Sequence, residues 1–207
     1  MDGVFMRNLL KIAGFALVVY LVFWCGSVIS DRKALNENLI RLHVVANSNS
    51  SEDQALKLKV RDAVVEKLQD TMESFPTMEE AREYLQAHLP ELQEFVNQVI
   101  RDLGFTDTAE VSLDRESFDT REYDTFTLPA GFYEALRITI GDGQGKNWWC
   151  VVFPTLFVGS TSQEFADTAV GAGFSDNLTQ TLQDDQPQIR FFLLDWLGQV
   201  ENFFRSL

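Results

Sequence analysis

Eighteen consecutive residues, Ile12 to Ile29 (IAGFALVVYLVFWCGSVI), carry no charge, and Arg7 and Lys11 stand just ahead of them. As a helix such a run rises about 27 Å, close to the thickness of a bilayer's hydrocarbon core. In lipid only a helix satisfies every backbone donor and acceptor of a single segment. Residues 1–30 therefore read as a signal peptide or a signal-anchor helix. Cys25-Gly26-Ser27 offers the small residues of a processing site, but the apolar run continues through Val28 and Ile29, which favours retention. Either reading exports residue 31 onward. Arg32 and Lys33 balance Arg7 and Lys11, so basic residues do not set the orientation. Bulky Phe23 and Trp24 argue against a lipid anchor on Cys25.

Beyond residue 30 the chain holds 15 Lys and Arg against 30 Asp and Glu. A body this acidic repels polyanions, which excludes nucleic acid as a partner. Its length suits one domain, expected over 39–207, with 31–38 (DRKALNEN) as a polar tether. Cys25 lies in the apolar segment, so Cys150 has no partner in the exported body and reads as a buried, inert thiol.

Alternation from Ile40 to Ala46 predicts a strand with Arg41 and His43 on its polar side. Turn residues Asn47 to Ser50 follow, and Ser51 to Gln54 reads as a capping box opening a helix. On that helix Leu58 and Val65 fall opposite Leu56 and Val60, which predicts packing on two sides, while Lys57, Lys59, Arg61 and Lys67 read as a solvated face. Thr77 to Glu80 predicts a second, short helix, and Pro90 in a favoured first-turn position predicts a third, ending at Gly104. Strands follow around Val111 and Ile138. The connection Gly141-Asp142-Gly143-Gln144-Gly145 into the Trp148-Trp149-Cys150 run then predicts a hairpin whose second strand is covered on both faces or sticky on one. Residues 159–187 read as a loop or late excursion, and Ile189 to Leu207 as a terminal helix. The expected fold class is α+β: the N-terminal transmembrane or signal helix, then one domain of mostly antiparallel sheet packed with helices.

No constellation demands catalysis. The glycine-rich connection leads into a strand and not into the helix N-terminus that a phosphate loop needs. Cys150 lies in an apolar strand, and the two histidines, His43 and His88, are far apart, so neither a thiol-imidazole dyad nor a metal site is expected. Nor is a cofactor or a small-molecule substrate.

Leu39 to Val64 (LIRLHVVANSNSSEDQALKLKVRDAV) and Leu128 to Pro154 (LPAGFYEALRITIGDGQGKNWWCVVFP) resemble the stage II sporulation protein R family of endospore-forming bacteria. The likeness extends through Phe118, Thr120, Arg121 and Tyr123, and more loosely to Ile189–Trp196. This sequence departs from the family pattern at Asn49, Ser51, Phe132 and Phe157; the last departure excludes a disulfide there. The resemblance implies a non-enzymatic signal, made in the forespore and exported to the space between the sporangial membranes. Its implied partner is a membrane-embedded aspartic protease, activated to process the pro-form of the mother-cell sigma factor E. The expected contact residues are Arg41, His43, Asn47 and Asn49, with Asn147 and Trp148 beside them. The alternative is an exported envelope hydrolase in which His43 works with a carboxylate.

Overall fold

The computed structural model describes residues 2–155, 161–184 and 188–205. Phe157 and Leu207 lie outside them. Helix α1 (Asp2–Glu37) is apolar enough to cross a membrane, and its side chains from Phe5 to Phe23 are exposed. Its last turns are different. Val28, Asp31, Arg32 and Leu35 are buried against the body. The expected tether over 31–38 is therefore helical to Glu37 and packed, because Asp31 and Arg32 find ionic partners and Leu35 enters the core.

Four strands form the main sheet in the order β2-β5-β1-β6: β1 (Ile40–Val45), β2 (Ala109–Phe118), β5 (Gly131–Ile140) and β6 (Asn147–Phe153). β2 and β5 are antiparallel, as are β1 and β6, whereas β1 and β5 are parallel. The α+β class and mainly antiparallel pairing agree with expectation. The hairpin does not: β1 lies between β5 and β6, so the glycine-rich connection crosses over the C-terminal end of β1. Backbone amides of Gln144 and Gly145 donate to the carbonyls of Asn47 and Ala46, tying that crossing down. Gly141 and Gly143 have φ of 56° and 63°, and a Cβ on Gly145 would collide with the Ser48 carbonyl oxygen. The tryptophan strand β6 is thus an edge, and the strand covered on both faces is β1.

One face of the sheet packs against α2 (Ser51–Glu73) and α3 (Met78–Asp102). Ser50, one residue earlier than expected, caps α2 by accepting from the Asp53 amide. Leu56, Val60, Val64, Leu68 and Met72 form one buried stripe on α2 with half-buried Val65 packed against the same core, and Leu58 stays exposed. Helix α3 runs unbroken through Pro90 where two helices were expected. Proline removes one donor, and the carbonyl left without it belongs to exposed Gln86, which water can serve. Gly104 (φ 84°) ends α3 in a Schellman arrangement, with Phe105 N–H donating to Ile100 and Gly104 N–H to Arg101.

The other face is covered over part of its length by the end of α1, α4 (Ser162–Gly171), α5 (Asp176–Gln183), α6 (Ile189–Arg205) and the small ribbon β3 (Arg121–Glu122) and β4 (Thr127–Leu128). The described part of 159–187, expected as loop, holds the two capped helices α4 and α5. Their Phe165, Ala169, Leu178 and Leu182 join Tyr133, Ala135 and Val151 in a second core.

Candidate functional site

Alternation along the strands brings a polar group to the part of the second face that the helices leave open. His43 stands across from Arg137 on one neighbour and Trp149 on the other. Glu116, farther along β2, reaches both side chains: His43 Nδ1 lies 2.7 Å from its Oε2, and Arg137 Nη1 donates to its Oε1 at 3.1 Å. Arg137 also donates to Thr139 Oγ1. Burial pushes the Glu116 carboxyl upward, but the bonds and charges of His43 and Arg137 prevail and hold it below the usual carboxylate range. An ionised Glu116 only accepts, so the His43 Nδ1 carries the proton.

His43 is 8 % exposed, and its Nε2 is buried with no hydrogen-bond partner among the described residues. Its ring stacks on Trp149 at 5.5 Å, and the Arg121 guanidinium lies 3.7 Å from the centre of that indole. Trp149 is therefore sandwiched between imidazole and guanidinium on an edge strand.

Arg41, expected as a contact residue, is 0 % exposed. Its guanidinium sits 4.1 Å from the Phe118 ring centre and 5.2 Å from that of Tyr133, and Nη2 donates to the Tyr123 hydroxyl at 2.8 Å. Aromatic faces and a hydroxyl stand where a carboxylate would be usual. Burial pushes the Tyr123 phenol up in spite of Arg41 beside it.

Asn47 and Asn49 act locally. Asn47 Oδ1 accepts from the Asp142 amide and Asn49 Oδ1 from the Lys146 amide, both at 2.9 Å, clamping the glycine-rich crossing to the β1–α2 turn. Buried Lys57 completes the clamp by donating to the Lys146 carbonyl and the Gln54 side chain. Lys57 thus leaves the solvated face expected of it, and Arg61, also placed there, stacks on Trp148 at 4.3 Å. Trp148 packs toward α2, and Asn147 is exposed at the start of β6. Asn47, Asn49, Asn147 and Trp148 therefore gather at the C-terminal end of β1, whereas His43 lies mid-strand and Arg41 near its start, and the six do not share one surface. Glu116, Arg137 and Trp149 were not among the expected contact residues, and Arg121 entered only through the family resemblance. The odd-even alternation of β2 and β5 was the signal that could have grouped Glu116 with Arg137.

Cys150 is buried, and burial pushes its thiol up to about 11. His88 lies inside α3, donating from Nδ1 to the Tyr84 carbonyl at 2.8 Å. A depression of about 630 Å³ lies between the β3–β4 turn and α5, walled by Glu122, Asp124, Thr125 and Gln183; His43 is not among its walls.

No solved structure matches the chain significantly. The chain is 31% identical over 183 residues to Stage II sporulation protein R of Bacillus subtilis (strain 168), covering 79% of this chain and 82% of that protein. Residues 36–163, which hold the last two residues of α1, the whole main sheet, α2 and α3, match the family described as Stage II sporulation protein R, and the chain belongs to that sporulation family.

Proposed function

We propose that this chain is an exported signal that activates a membrane-embedded aspartic protease, which then processes the pro-form of the mother-cell sigma factor E. It would do so without catalysis of its own, from the forespore side of the space between the sporangial membranes. The observation that carries the reading is the family match over residues 36–163, which spans the entire main sheet. An apolar helix long enough to cross a bilayer, continuous with the body, suits a signal delivered at a membrane surface.

The contact face we assign is the open part of the second sheet face together with the crossing at the end of β1. Arg137, Thr139, Trp149 and Asn147 present the contacts, Asn47 and Asn49 hold the crossing, and Trp148 buttresses β6 from behind. Arg41 and His43 hold the strands from beneath. A ligand shifts its receptor only through differential affinity for two states, with coupling commonly about 1–3 kcal/mol, which a face of this size can supply.

The envelope-hydrolase reading has one observation in its favour, the His43–Glu116 pair. The enclosed Nε2 weighs against it, because a general base must reach its substrate's proton.

The test reconstitutes protease, sigma precursor and this chain in one membrane and measures precursor cleavage. Cleavage should rise above the protease-alone control and fall for an Arg137→Ala, Asn147→Ala double variant. No rise with the unaltered chain would reject the activator reading.

A further inference from the structure

Helix α6 carries an apolar sector that is largely exposed among the described residues. Ile189, Phe192, Trp196 and Phe203 are 58–73 % exposed, and their spacing places them in one row. Half-buried Leu193 and Leu197 continue the row toward the flank that meets α1. At 100° per residue the sector covers about 140° of the helix without a charge. The charged residues Arg190, Asp195 and Glu201 point elsewhere, into bonds with Asp31, the Ala130 amide and Arg32.

Those bonds also fix where α6 lies. Arg190 and Glu201, about 16 Å apart along α6, pair with the consecutive α1 residues Asp31 and Arg32. Helix α6 therefore crosses α1 instead of running beside it. The crossing is close: Gly198 has no room for a Cβ against the Ala130 carbonyl and the Arg32 guanidinium. Asp31 is the first charge after the uncharged run ending at Ile29. About two turns back, inside that run, Trp24 shares with Ile189 and Arg190 the walls of a depression. If α1 stands across a bilayer, α6 lies crosswise at the level where hydrocarbon gives way to water, the level that Trp side chains favour.

We propose that α6 rests in the lipid–water interface of the membrane that α1 spans, its apolar row sunk among the headgroups. With α1 as post and α6 as footing, the contact face is held at one height and orientation above the bilayer. The inference rests on α1 being inserted. The body's excess of acid means that apolar burial, not attraction to anionic lipid, drives the contact.

The test uses the full chain with Cys25→Ser and Cys150→Ala, inserted in neutral phosphatidylcholine vesicles. An environment-sensitive fluorophore is placed in turn through Phe192→Cys, Phe203→Cys, Lys59→Cys on the far side of α2, and Leu17→Cys within α1. Labels at 192 and 203 should be quenched by iodide at least about fivefold less than the label at 59, and quenched by lipids carrying shallow spin labels. Labels at 192 and 203 as open to iodide as that at 59, with 17 shielded, would overturn the inference and leave the anchor standing. A label at 17 open to iodide would remove the anchor and the inference together. Shielding at 192 that arises only when a membrane protein partner is added would overturn the lipid contact in favour of a protein one.

Discussion

Asp31→Ala should destabilise the body by about 3 kcal/mol, the lower end of the range for breaking a buried ion pair. Asp31 is 4 % exposed and accepts from Arg190 Nε at 2.8 Å, from Arg190 Nη2 and from Ser175 Oγ at 3.1 Å. Its removal strands the Arg190 guanidinium, whose side chain is 13 % exposed and so retains a narrow path to water. That residual path sets the choice of the lower figure. With a slope of about 2 kcal/mol per molar urea, the unfolding midpoint should fall by about 1.5 M. The assay is tryptophan fluorescence of the detergent-solubilised full chain in a urea series. Asp31→Ala combined with Arg190→Leu should be less unstable than the sum of the two single changes, since the second removes the charge stranded by the first. A loose linker at this position would behave otherwise. A midpoint shift below about 0.25 M for Asp31→Ala would show a surface-like effect and refute the packing of the last turns of α1.

Glu116 gives a pH dependence with a definite sign. Because its folded carboxyl titrates below the ordinary value, the stability it contributes is present above pH ~4.5 and is lost as pH falls through the lowered folded value. Glu116→Gln should flatten that part of the acid-unfolding profile, and an unchanged profile would contradict the His43–Glu116–Arg137 network. Gly145→Ala forces a methyl group toward the Ser48 carbonyl and should lower stability by about 2 kcal/mol, measured by thermal or urea unfolding. The Cys150 thiol, pushed up to about 11 by burial, should resist a thiol reagent at pH 8 in the folded chain and react promptly in denaturant.

Local signals carried much of the fold. Ser50 and Thr77 cap helices within a residue of where the side-chain pattern put them, and Gly104 ends α3 where a left-handed residue was needed. What failed was non-local. A short glycine-rich link between two apolar runs favours a hairpin, and nothing in its residues reveals that β1, about a hundred positions earlier, inserts between the two strands. Pro90 reads the same at the first turn of a helix as in its interior; only the exposure of Gln86 distinguishes them. Arg41 and His43 looked like the outer side of a strand because polarity stands in for exposure in a periodicity argument. Both are buried, because partners from distant segments, Glu116, Tyr123 and the rings of Phe118 and Trp149, replace water around them.

That burial changes what a loss of signalling at these positions would mean. Replacing Arg41 removes a cation from between two rings and a phenol, and replacing His43 frees Glu116 and the underside of Trp149, so either change disturbs the face without having touched a partner. Asn147 reaches solvent at the start of β6, whereas Arg137 is shared between the face and Glu116. A contact role is therefore separable from a supporting one by comparing the two sets. Support predicts that activation and unfolding midpoint fall together at Arg41 and His43, and contact predicts that activation alone falls at Asn147. The physical reason is the same in both cases: a binding face transmits affinity only if the backbone beneath it is already fixed, and here the fixing is done by charged groups placed where most domains use apolar ones.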